Sequence, residues 1–286
     1  MSNPSRVILL GTGTCRLDAH RGQTGACVVL DQTTYVIDIG VGIPERLELC
    51  GAFDNCHELH IHISHGHIDH VFGLFPLLQC LAWSDDARYL GIKRVVIHAP
   101  QSVCNTIQST QTLWDETQTQ IATDLNDRVI EYRPGPDAAD WHYQVGPLSV
   151  HSVHLPTSYN HGVKFSLTGK TYAFTCDATE LNTDLINFCR DVDVCVFDLG
   201  HLLFIRTDDK RFELTLEPAA KLLASANPKL AYAAHVYLRH LQNAPLSAAE
   251  RATETARIIK QLEVEAQSRG FSGSLIAAED GAELSL

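Results

Sequence analysis

The order of the apolar runs is what most constrains this chain. Three short runs, "RVILLG", "ACVVLD" and "TYVIDIG", follow one another before any helical pattern, each closed by Gly, Thr or Asp. In "ELHIHIS", Leu59, Ile61 and Ile63 alternate with His60 and His62, so the period is two and the stretch reads as a strand with one apolar and one imidazole face. A helix is predicted over Gly73–Trp83, with Pro76 in its first turn. "RVVIHAP" is the next strand, and a polar, Gln/Thr-rich helical stretch runs from about Ser102 to Asp124. The second half repeats the plan. "PLSVHSVHL", "GVKFSLTG" and "KTYAFTCD" read as strands, the last two joined by a tight turn at Thr168-Gly169-Lys170. A helix near Glu180–Arg190, the strand "DVCVFDLG", the helix "LEPAAKLLASA", the strand "LAYAAHV" and a long helix near Ser247–Arg269 follow. The tail "GSLIAAEDGAELSL" reads as a closing hairpin turning at Asp280-Gly281. Strands first and strands alternating with helices after, twice over, imply an α/β protein with two facing β-sheets and helices outside. Residues 134–140, "PGPDAAD", read as a loop within one domain spanning 1–286.

Composition narrows the function classes. A formal charge of −12 argues against an extended nucleic-acid surface, which needs clustered Lys and Arg. The only apolar run near the start is Val7–Leu10, too short for a signal peptide, and no segment approaches a membrane span, so a cytoplasmic location is expected. Nine cysteines, with no Cys-x-x-Cys pair and most inside apolar runs, read as reduced core thiols.

The chemistry concentrates in "ISHGHIDHVFGL", which places His65, His67, Asp69 and His70 within six residues just past a strand end. Asp69 alone could cap a helix, but crowded imidazoles gain little from one another unless a cation holds them. His65 and His67 can converge on one ion while Asp69 and His70 turn towards a second. Imidazole with carboxylate suits Zn²⁺, with Mn²⁺ and Fe²⁺ as rivals. Four side chains cannot close two sites, so further ligands must come from later strand ends.

This motif resembles the signature of the metallo-β-lactamase superfamily, and the similarity extends from "LGTGT" near the start to "AAEDGAELSL" at the end. The resemblance implies an αββα four-layer sandwich of two mixed sheets. It also implies a third histidine for the first site, an aspartate bridging both metals and a last histidine for the second. His154 in "VHSVHLPTS", Asp177 in "AFTCDATE" and His235 in "AYAAHVYLRH" match those positions. His151 competes with His154, and His240 with His235; His161 is expected to line the pocket and Cys176 to be a packed thiol.

Two metals close together would hold a bridging hydroxide as nucleophile, and His67 matches the hydrolytic rather than the redox members. "HLPTSYNHG", "LGTGT" and "YVIDIGVG" are similar to the ribonuclease Z and small-phosphodiesterase branch. Two departures stand out. Only 22 residues separate His154 from Asp177, leaving no room for that family's basic arm, and "VFDLGH" puts Phe197 and Asp198 where its His-Glu pair stands. Asp198 is then either a partner orienting a metal-bound histidine or an acid, and His201 is the nearest replacement acid. Asp69, Asp198 and His201 form the candidate catalytic set. The reading is a dinuclear metal-dependent hydrolase of a small phosphodiester, such as a cyclic nucleotide. Its rivals are a carboxylic ester, lactone or amide hydrolase and a non-catalytic metal-binding sensor or partner protein. The segment from Ser102 to Asp124 is expected to supply a lid or a homodimer contact.

Overall fold

A computed structural model describes residues 5–15, 21–116, 128–155, 160–206, 212–235 and 247–284. Among these, six strands form the first sheet in sequence order: β1 (Arg6–Gly11), β2 (Gly25–Val29), β3 (Thr33–Ile39), β4 (Glu58–His62), β5 (Arg94–Pro100) and β6 (Val129–Gly135). The pairs β1–β2 and β2–β3 are antiparallel, and the pairs from β3 to β6 are parallel. The second sheet comprises β7 (Trp141–Val145), β8 (Leu148–Leu155), β9 (Asn160–Leu167), β10 (Lys170–Phe174), β11 (Val194–Asp198), β14 (Leu230–Ala234) and β15 (Ser274–Ala277). Between β11 and β14, a small separate hairpin joins β12 (Phe204–Arg206) and β13 (Phe212–Leu214).

Helices cover the outer faces. On the first sheet these are α1 (Ile43–Leu49), α2 (Ile68–Val71), α3 (Leu74–Trp83), α4 (Ala87–Gly91) and α5 (Gln101–Glu116). On the second they are α6 (Thr183–Cys189), α7 (Leu199–Leu202), α8 (Glu217–Ala226) and α9 (Ala248–Ser268). The longest, α9, starts at a capping box in which Ser247 and Glu250 satisfy each other's backbone N–H. Between the sheets, Val7, Leu9, Val28, Tyr35 and Ile37 pack against Val163, Phe165, Phe174, Val196 and Tyr232. The four-layer αββα sandwich is therefore the observed architecture. No helix of the described residues is long and apolar enough to cross a membrane.

Several local expectations change in the folded chain. The strand β4 does alternate, but His60 and His62 are 3% and 0% exposed, because a central parallel strand is covered on both faces. The His60 imidazole meets its neighbour strand β5, and that of His62 meets the second sheet. His60 Nδ1 lies 3.1 Å from His98 Nε2, and Tyr143 Oη lies 2.8 Å from His62 Nδ1. The strands β6 and β7 border the expected loop; β6 carries little apolar alternation, whereas Trp141, Tyr143 and Val145 alternate with polar residues along β7, and Pro134 and Gly135 belong to β6 itself. Both are edge strands, where proline and charged residues cost no ladder bonds. The short helix α1 carries Pro44 in its first turn, and its seven residues are too few for periodicity to show.

The tail is not a hairpin. Gly281 does occupy a turn at φ 83°, but β15 pairs parallel with β14, and the chain then crosses to the other sheet. There the Gly281 amide donates to the Leu9 carbonyl at 2.7 Å and the Leu284 amide to the Val7 carbonyl at 2.7 Å. An Asp-Gly dipeptide specifies a turn and leaves its strand partner undetermined. The polar helix α5 covers the first part of its expected range; residues 117–124 lie outside the described ones.

Candidate metal centre

The centre forms where strand ends of both sheets meet. After β4 the chain turns through Ser64–His67 and enters α2, so Asp69 and His70 project from the first turn of a helix whose N-cap is His67. The close approach of this turn to β3 requires Gly40. A Cβ there would lie 2.1 Å from the Asp69 carbonyl oxygen and 2.6 Å from Gln23 Cβ. From the second sheet, Asp177 follows β10 and His235 follows β14.

Asp177 occupies the middle. Its Oδ2 lies 3.5 Å from His65 Nε2 and 3.6 Å from His67 Nδ1, while its Oδ1 lies 3.0 Å from His70 Nε2 and 3.5 Å from His235 Nε2. Asp69 Oδ2 lies 3.3 Å from His235 Nε2 and 3.9 Å from His70 Nε2. Three overlapping groups, His65/His70/Asp177, Asp69/His70/His235 and Asp177/His201/His235, each gather donor atoms within 4.8 Å of one another. His70 Nε2 and Asp177 Oδ1 are fully buried, yet neither has a hydrogen-bond partner of acceptable geometry among the described residues. Buried polar atoms are almost always satisfied, so this pair marks a place that a divalent cation fits.

Two further carboxylates hold the imidazoles from behind. Asp38, at the end of β3 and fully buried, has Oδ2 2.7 Å from His70 Nδ1; it also accepts the Ser64 amide at 2.8 Å and the Ser64 hydroxyl at 2.9 Å. Ser64 Oγ in turn lies 3.0 Å from His65 Nδ1. Asp198, at the end of β11, has Oδ1 3.2 Å from His235 Nδ1 and Oδ2 2.6 Å from His201 Nδ1. Such bonds set which ring nitrogen faces a metal and raise its basicity.

The electrostatics point the same way. Burial opposes ionisation of Asp177, but the charges of His70 and His235 and bonds from His65 and His67 hold its carboxyl well below the usual range. Burial disfavours a charged His70, yet Asp177 and Asp38 push its pKa up to about 10. His235 is likewise driven well up, against its burial, by Asp177 and Asp198. Four buried carboxylates, Asp38, Asp69, Asp177 and Asp198, demand compensating positive charge, and uncompensated burial of even one costs several kcal/mol, roughly.

The structure thus gathers His65, His67, Asp69, His70, Asp177 and His235. His154 lies near the end of β8. That ring faces His161 across the β8–β9 ladder, with centroids 5.2 Å apart, and its amide donates to Asp140 Oδ1 at 2.8 Å. His154, like His67, enters none of the three donor groups among the described residues, while Asp177 Oδ2 lies near His65 and His67. His151 lies on the outer face, stacked on His142 at 4.0 Å. His161 does not line the cleft. It is fully buried beside Trp141, and its amide donates to the Ser64 carbonyl at 3.2 Å. Cys176 is packed, its thiol pKa pushed well up by burial. His240 lies outside the described residues.

Asp38 and Ser64, which hold His70 and His65 from behind, are residues that motif reading passes over. The available signal was a charged residue inside the apolar run "TYVIDIG", a costly placement unless the charge is used. Asp38 also holds φ at 57°, a left-handed conformation that aspartate tolerates better than most residues. In front of the donor groups opens a cleft of about 450 Å³, whose other walls are Thr14, Cys15, Gly66, Ile68, Gly200 and His201.

This architecture is the metallo-β-lactamase fold. The B. subtilis metallo-β-lactamase fold protein YhfI matches over 98% of both chains with a TM-score of 0.67 at 14% identity. A diphosphatase from the PhnP family matches over 99% of this chain and 98% of its own, with a TM-score of 0.63 and 17% identity. The short form of human tRNase Z matches over 99% of both chains, also at 0.63 and 17%. No protein-family model and no curated protein matches the sequence.

Proposed function

We propose that the protein is a metal-dependent hydrolase holding two divalent cations, Zn²⁺ foremost, and cleaving a small phosphodiester. The observation that carries this reading is the division of Asp177, with Oδ2 on the His65/His67 side and Oδ1 on the His70/His235 side. His65 and His67 would hold one cation and Asp69, His70 and His235 the other, with Asp177 shared. Such a pair, when bound, lowers the pKa of water and polarises a phosphoryl or carbonyl oxygen. The choice of phosphorus over carbon leans on the diphosphatase and the tRNase Z that share the fold.

The chain's own residues would supply orientation and proton handling. Asp38 and Asp198 orient His70 and His235. His201 lines the cleft with its Nδ1 bound to Asp198, leaving Nε2 for a proton donated to the leaving oxygen. Its pKa is raised, because Asp198 outweighs the penalty of burial. A role for His201 here would answer the missing His-Glu pair of "VFDLGH".

The test is metal analysis of the purified protein coupled to hydrolysis of bis-p-nitrophenyl phosphate and of 2′,3′- and 3′,5′-cyclic nucleotides. Activity should vanish with a chelator and in Asp177→Ala, which should also lose metal. His154→Ala should keep most of its metal, given where its ring lies. Two bound metals with no turnover of any phosphodiester, lactone or thioester would sink the reading in favour of a metal-binding partner protein.

A further inference from the structure

One residue in the cleft is out of place for stability. Ile68 sits between the donors His67 and Asp69, lines the cleft and is 58% exposed. An isolated exposed isoleucine needs no explanation, but this one faces the centre that does the chemistry, and Phe72, one helical turn on, is 50% exposed. The walls that are not donors, Thr14, Cys15, Gly66, Ile68 and Gly200, are uncharged, and no Lys or Arg lines the cleft among the described residues. Asp38, Asp69, Asp177 and Asp198 already bring four carboxylates to the centre. An additional anionic group on a ligand would meet no cationic side chain among the described residues of the cleft. An apolar group would meet Ile68.

We infer that Ile68 is a specificity-determining residue, and that the site takes singly charged esters whose group beside the reacting centre is apolar, in preference to esters carrying further charge. This deepens the proposed function and rests on it. About 450 Å³ accommodates one aromatic or sugar-sized group beside the ester.

The experiment compares two monoanionic esters with the same leaving group, p-nitrophenyl phenylphosphonate and p-nitrophenyl methylphosphonate, and the dianion p-nitrophenyl phosphate. In each case water adds at phosphorus and p-nitrophenol leaves. The wild-type enzyme should favour phenyl over methyl by about tenfold in kcat/KM, the discrimination typical of one apolar contact. The dianion should be the poorest of the three. Ile68→Ser should reduce the phenyl preference to about twofold or less, Ile68→Val should retain most of it, and Ile68→Lys should shift selectivity towards the dianion. Metal content is measured in each variant, because residue 68 lies between two donors. Calorimetry on the metal-loaded wild-type protein with the singly charged monomethyl esters of phenylphosphonate and methylphosphonate, whose methoxide is a poor leaving group, gives a readout independent of turnover, and the phenyl compound should bind about tenfold tighter. Failure to hydrolyse any ester with that binding preference intact would overturn the proposed function alone. Equal binding of the two phosphonates, or preference for the dianion, would overturn the role of Ile68.

Discussion

Replacing Asp38 by Asn tests whether the carboxylate behind His70 sets the metal affinity of the centre. The substitution keeps size and shape, and asparagine tolerates the left-handed φ of 57°, so backbone strain drops out of the comparison. What changes is hydrogen bonding. Asp38 accepts three bonds, with Oδ2 taking both the Ser64 hydroxyl and His70 Nδ1 and Oδ1 taking the Ser64 amide. An amide offers one acceptor oxygen, so whichever way it turns its NH2 group faces at least one buried donor. Leaving such a group unsatisfied costs about 1–3 kcal/mol. His70 also loses the charge that fixes its ring, and changes at such supporting positions weaken metal binding roughly 10–100-fold. The assay is a Zn²⁺ competition titration against a chromophoric chelator, with circular dichroism to verify the fold. Asp38→Asn should bind at least about tenfold more weakly, with Asp177→Ala as the reference for outright loss. Zinc affinity within twofold of wild type in a folded Asp38→Asn protein would refute the claim that Asp38 orients a ligand.

Two other outcomes follow from the packing. Burial holds His62 and His161 at a pKa of about 4 and His98 at about 2, all lowered from 6.5, so the folded state refuses protons that the unfolded chain accepts. Their penalty is absent above pH 6.5 and grows as the pH falls towards 4. It amounts to about 2 kcal/mol per group between pH 7 and 5 as an upper bound. Urea midpoints of the metal-loaded protein should fall over that window, and His98→Gln should narrow the fall; an unchanged midpoint at pH 5 would contradict the burial argument. Gly40→Ala would drive a Cβ to 2.1 Å from the Asp69 carbonyl, so it should lower the melting temperature and the metal content together. A variant that melts and binds zinc like the wild type would show that the turn has room to move.

What the sequence determined by itself was what local chemistry dictates. The period-two pattern marks β4, the capping box starts α9, and the spacing His65, His67, Asp69, His70 places four donors on a single turn, where proximity in sequence guarantees proximity in space. The alternation of strands with helices implied facing sheets, because each apolar face must find a cover. What only the tertiary structure decided were relations between distant segments. Nothing near Asp38 in the chain says that its carboxylate will meet His70, and nothing near Asp198 that it will serve both His201 and His235. The order of motifs along the chain matches His154 to a ligand position, and only the register against β9 places its ring opposite His161. The edge strand β6 shows little apolar alternation, β7 shows it over only five residues, and Asp280-Gly281 leaves open that the tail crosses to β1. Residues adjacent in sequence share a local geometry whatever the rest of the chain does. The orientation of a buried imidazole, and the identity of the carboxylate behind it, depend on which strand ends the packing of the two sheets brings together.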